Sequence, residues 1–346
     1  MIKINIKENL LNALTINEIE WIPCTAFSAV PITKIIEKLN ISFESGQKNS
    51  KDMATIASLG YEYAGLEGIP LPFDLCFEAE AMGCEVELKN KNGPSRVIET
   101  PFNELSDVEM NDDFIHSGRF PIMEEAIHIL HDEYDDKNIP IIGSITGPLT
   151  LLGQIFPTGT EGIIKHTNDR YIEVEEALEQ LTNCLIEEIQ LYEELEVDVI
   201  AIYEPNSTPS LLDPSIFKQL LMPFLEDLSR TMDIPGVLHV CGDTTTNLEN
   251  MFSCGFEGIS ISEDININEA KQLQAELNTP TRLCGNISTN QTLFSKSPKE
   301  VMKESLNALS QGIDILSPSC MIAPNTPLKN VKAMVHARNE FCDLEI

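Results

Sequence analysis

Asp198-Val199-Ile200-Ala201-Ile202-Tyr203-Glu204 is an apolar run of strand length closed at each end by a carboxylate. It is too short for a helix and rich in β-branched residues, so it reads as a strand. The chain on either side repeats the theme. Upstream, Pro140-Ile141-Ile142-Gly143-Ser144-Ile145-Thr146-Gly147-Pro148 reads as strand and turn, with a helix starting at 149. Between the two runs, residues 170–194 place Ile172, Val174, Ala177, Leu178, Leu181, Leu185 and Ile189 at helical spacing. Downstream come a helix at 213–232 and a strand at 236–241. Strands are also predicted at Gly258–Glu263, Arg282–Asn286 and 313–316, with helices at 267–277, 298–311 and 325–341.

Alternating strands and helices imply a parallel sheet with helices outside. Apolar segments near 21–27, 68–75 and 140–146 bring the strands to about eight. The expected fold is therefore α/β, a (β/α)8 TIM barrel, with an open doubly wound sheet as the alternative. A helix over 5–18 precedes the barrel. Residues 84–100 alternate around Asn92-Gly93 and read as a β-hairpin insertion. No linker, fixed-period repeat or charge block divides the chain, which predicts one domain over 1–346.

The polar residues fall in a pattern of their own. Glu204, His239 with Cys241, Glu263, Asn286 and Cys320 each lie at the C-terminal end of a predicted strand. In a barrel these ends share one rim, where sites are built. His239 and Cys241 are two apart, so an imidazole and a thiol project to the same face. A His/Cys/Cys set suits zinc, and three protein ligands leave a position open for chemistry. Cys284 lies two residues deeper than Asn286 and reads as a core thiol. Cys24, Cys76, Cys84, Cys184, Cys254 and Cys342 read as core or surface thiols. His128 and His131, beside Asp132, read as a solvated helix face. Tyr203 and Met321 are packing or pocket wall.

Composition narrows the partners. Apolar residues make up 42% and charged residues 23%, ordinary for a globular protein. The formal charge of −32 and pI of 4.4 oppose binding to nucleic acid or to anionic membrane surfaces. Nine scattered cysteines do not form a disulfide framework and are expected to be reduced. The first residues lack the apolar core of a signal peptide, and no run approaches the roughly 18 apolar residues of a membrane span. A cytoplasmic location is expected.

A resemblance then joins these readings. Glu20-Trp21-Ile22-Pro23, Pro70-Leu71-Pro72-Phe73-Asp74 and Glu78-Ala79-Glu80-Ala81-Met82-Gly83-Cys84-Glu85-Val86 are its first supports. Thr146-Gly147-Pro148, Glu204-Pro205, His239-Val240-Cys241-Gly242, Gly285-Asn286-Ile287 and Cys320 through Pro324-Asn325-Thr326-Pro327 complete it. The sequence resembles the uroporphyrinogen decarboxylase superfamily, and within it the methylcobalamin:coenzyme M methyltransferase branch of methanogens. The resemblance implies a TIM barrel in which His239, Cys241 and Cys320 hold a catalytic Zn²⁺. It also implies transfer of methyl from a methylated Co(III) corrinoid, carried by a separate protein, to a zinc-activated thiol in methylotrophic methanogenesis. Coenzyme M, or another small thiol, is the acceptor.

Two Cys thiolates already neutralise a divalent zinc, so a bound substrate thiolate keeps excess electron density. Glu263 is then expected as an exchangeable fourth ligand, with Glu204 and Asn286 bonding substrate or orienting ligands. Two alternatives are a tetrapyrrole decarboxylase and a non-catalytic corrinoid-protein docking module with structural zinc. The first is opposed by the absence of Arg over 21–45, where such decarboxylases carry an Arg-rich segment. The second is opposed by the lack of a well-placed fourth Cys.

Overall fold

The protein is described by a computed structural model over residues 5–88, 95–111 and 113–343. Nine strands occur among these residues. They are β1 (Ile69–Leu71), β2 (Glu85–Glu87), β3 (Arg96–Glu99), β4 (Ile141–Thr146), β5 (Val199–Tyr203), β6 (Gly236–His239), β7 (Gly258–Ser260), β8 (Arg282–Ile287) and β9 (Ile315–Pro318). Seven form one parallel sheet in the order β1-β4-β5-β6-β7-β8-β9. Every step is to the next barrel strand in sequence, the signature of a curled (β/α) sheet.

The eighth stave differs from expectation. Cys24 makes only a parallel bridge to Leu316, where a strand was expected near 21–27. Thr25 N donates to Leu316 O (3.1 Å), Leu316 N to Pro23 O (2.9 Å) and Glu67 N to Cys24 O (2.9 Å), which closes the circle. Pro23 has no N–H to give, so the ladder does not extend. Side chains complete the seam. Glu67 accepts from Trp21 Nε1 and from Cys24 N (2.9 Å each) and pairs with Arg338 Nη1 at 2.6 Å. Arg338 also donates to Ile22 O.

The opening helix runs Ile6–Leu14, shorter than the predicted 5–18, and is capped by Asn5 Oδ1 on Glu8 N. It ends because Ile16 adopts a left-handed φ of 61°. Its Leu10, Ala13 and Leu14 pack against Ile142, Val199, Ala201, Val237, Cys284 and Ile315, plugging the barrel interior. Cys284 is thus core, as read from sequence. The long helix Tyr171–Glu194 buries Val174, Ala177, Leu178, Leu181, Leu185 and Ile189, but Ile172 at its start is 66% exposed. The predicted helix 213–232 is broken into Pro214–Ile216, a π-turn Phe217–Leu221 and Met222–Thr231. Pro223, which lacks a donor N–H, accounts for the break.

The hairpin pairs β2 with β3 antiparallel, Val86 opposite Val97; its Asn92-Gly93 turn lies outside the described residues. No helix among the described residues is long and apolar enough to cross a membrane.

Candidate metal centre

Three neighbouring strands end in one inward layer. Tyr203 of β5 is the register partner of His239 of β6, which is the partner of Ser260 of β7. The Tyr203 and His239 rings lie 5.2 Å apart. Ser260 Oγ is 3.0 Å from His239 Nδ1, so that nitrogen is occupied and Nε2 faces the thiols. β6 stops at His239 rather than at 241, and Cys241 sits in the turn before Gly242, whose φ is +78°. The two side chains still meet, with Nε2 3.1 Å from Cys241 Sγ.

Cys320, two residues beyond β9, brings its sulfur to 3.4 Å from that of Cys241. The three ligating atoms all lie within 4.8 Å of one another, and no other group of three or more His, Cys, Asp or Glu side chains among the described residues is so placed. His239 is buried, while both cysteines are partly exposed.

This donor set fits zinc. A tetrahedron with metal–sulfur bonds of about 2.3 Å has a sulfur–sulfur edge of roughly 3.7 Å, so the 3.4 Å between Cys241 and Cys320 needs to open only by a few tenths of an ångström. The hydrogen bond between the two thiol groups also separates their acidities. It draws the Cys320 thiol well down, aided by His239, while pushing Cys241 far up together with burial.

Glu263 follows β7, with its Oε1 accepting from Ser288 Oγ at 2.5 Å. Partial burial would raise its pKa, but the hydroxyls of Ser288 and Ser319 outweigh this and hold it low. Asn286 Nδ2 donates to Ser262 O (3.3 Å) and Ile265 O (3.1 Å), so it secures the loop that carries Glu263.

Glu204 serves another element. One oxygen accepts from Leu149 N at 2.9 Å and the other from the Thr150 hydroxyl, both at the start of the helix Pro148–Ile155. A Cβ on Gly147 would lie 2.4 Å from Glu204 Oε2, which is why that turn holds glycine. Burial pushes the Glu204 carboxyl up to about 8. Met321, next in sequence to Cys320, lines an apolar cavity of about 580 Å³, together with Phe43, Phe73, Pro205, Ile322 and Pro324. His131 uses both ring nitrogens, on Asp135 and on Leu195 O, and His128 is exposed. Sequence reading missed Ser260, Ser288 and Ser319. Only Ser260 left a signal, as the polar end of a short apolar strand.

A family model described as uroporphyrinogen decarboxylase (URO-D) matches residues 5–341. The chain belongs to the uroporphyrinogen decarboxylase family. Within that family it is 33% identical over 342 residues to methylcobamide:CoM methyltransferase MtaA of Methanosarcina barkeri, covering 99% of each chain. It is 27% identical over 339 residues to methylcobamide:CoM methyltransferase MtbA of Methanosarcina acetivorans, covering 97% of this chain and 98% of that one. The solved structure of a methyltransferase from Methanosarcina mazei matches with a TM-score of 0.93 and 33% identity, covering 97% of this chain and 99% of that one.

Proposed function

We propose that the protein transfers a methyl group from a methylated corrinoid, presented by a separate protein, to the thiol of coenzyme M. The His239–Cys241–Cys320 constellation at the barrel mouth is the observation that carries this reading. Those three side chains would hold zinc. When bound, zinc supplies the open position at which the substrate thiol loses its proton and is oriented for attack.

The chain's own groups set the rest. Ser260 fixes the His239 ring so that Nε2 is the donor, the usual task of a partner to a ligating imidazole. The two cysteinate charges of Cys241 and Cys320 would cancel a bound dication and so leave the substrate sulfur electron-rich. Glu263 is the proposed fourth donor in the thiol-free enzyme, so that substrate exchanges one anion for another at little electrostatic cost. The apolar cavity lined by Met321, next in sequence to Cys320, supports docking of a corrin face there. The substrate sulfur attacks the methyl carbon of the methyl–Co(III) donor and forms the C–S bond. The Co–C bond breaks with its electron pair on the metal of the corrinoid, giving Co(I) and the methyl thioether.

The relatives named for this reaction span nearly the whole chain, which supports the same assignment. The test is loss of methylcobalamin absorbance with coenzyme M as acceptor, before and after zinc chelation. Thiol-dependent turnover that chelation and Cys320→Ala abolish is expected. No turnover with any of a panel of thiols would overturn the assignment.

A further inference from the structure

We propose that Ser288 is the resting partner of the Glu263 carboxylate, and through it a positioning residue for thiol binding. This rests on the zinc reading above. The Ser288 hydroxyl donates to Glu263 Oε1, and its oxygen accepts from Gln291 N at 3.0 Å, capping the π-helical turn Thr289–Phe294. Ser288 is therefore fixed in place. The main chain that bears Glu263 is fixed as well. Asn286 ties Ser262 O and Ile265 O, and Ser262 Oγ donates to Gly242 O (2.7 Å) in the turn that follows Cys241. Between these ties the carboxylate is the part able to move.

One further feature gives it somewhere to go. Ser319, immediately before the ligand Cys320, is buried, and its hydroxyl faces the Glu263 carboxylate and has no other hydrogen-bond partner. The carboxylate thus has two hydroxyl stops, one on Ser288 and one beside Cys320. With thiol held by His239, Cys241 and Cys320 through zinc, Glu263 would return to Ser288, where the charge-assisted bond offsets the cost of displacing it.

The experiment is calorimetric titration of coenzyme M into zinc-loaded wild type, Ser288→Ala, Ser288→Thr, Glu263→Gln and the Glu263→Gln/Ser288→Ala double variant. Zinc affinity of each, without thiol, is measured by chelator competition. Ser288→Ala is expected to weaken thiol binding about tenfold, the scale of one hydrogen bond to a charged group. Its zinc affinity should be at least that of wild type, Ser288→Thr should restore thiol binding, and Ser288→Ala should be silent beside Glu263→Gln. Unchanged thiol affinity in Ser288→Ala overturns the proposal while leaving the zinc reading intact. So does an equal loss in the Glu263→Gln background, or a parallel tenfold loss of zinc affinity, since either marks a purely scaffolding role. Wild type that binds no zinc overturns the parent reading and this proposal with it.

Discussion

Ser260 Oγ stands 3.0 Å from His239 Nδ1, on the strand that pairs with His239 in register. The sheet itself therefore sets which imidazole nitrogen is free. Ser260→Ala should lower zinc affinity by about tenfold to a hundredfold, the usual cost of losing the partner of a ligating histidine. Chelator competition on the folded variant checks this; unchanged affinity would show that the ring is held by Tyr203 and packing alone.

The close approach of Gly147 to Glu204 predicts a second result. Gly147→Ala drives a methyl to 2.4 Å from the buried carboxyl, and overpacking of this kind costs about 1–3 kcal/mol. Urea unfolding should show that loss. Zinc binding should be retained, since Glu204 spends its oxygens on Leu149 and Thr150.

Burial raises Glu204 to about 8 and Glu78 to about 7, the latter accepting from Thr146 N at the end of β4. In the unfolded chain both titrate near about 4.3. Between that value and their folded ones the native state holds protons that the unfolded state has released. Stability contributed by the two groups is thus full below about pH 4 and is lost as pH rises through about 7 and about 8, at up to about 1.4 kcal/mol per pH unit for each. Urea midpoints across this range should fall, and Glu204→Gln should flatten the decline. A slope identical to wild type would contradict the assignment.

The barrel seam depends on a buried ion pair. Arg338→Ala leaves the Glu67 carboxylate without its countercharge, and breaking such a pair costs about 3–5 kcal/mol. Chemical denaturation should register this, and replacing both residues by apolar ones of similar volume should recover much of it.

What the sequence disclosed follows from where the information sits. Val199–Tyr203 and its fellow strands are buried apolar runs, so their ends were readable, and with them the rim positions of His239 and Cys320. The segment 21–27 reads as a full strand but forms only a single bridge at Cys24, because its closure comes from single backbone bonds and from Arg338 more than three hundred residues away. Glu204 carried the same strand-end signature as His239, yet its partners on Leu149 and Thr150 turn it to a supporting task. Ser288 left no mark, since a serine after Gly285-Asn286-Ile287 is distinguished only by the carboxylate it meets in space.

The central claim is a zinc held by one nitrogen and two sulfurs, with an exchangeable position for substrate sulfur. X-ray absorption at the zinc edge of the loaded protein, with and without coenzyme M, tests it most directly. Two sulfur neighbours rising to three on adding the thiol is the predicted result. A sulfur count that does not change, or zinc that survives in Cys241→Ala/Cys320→Ala, would contradict it.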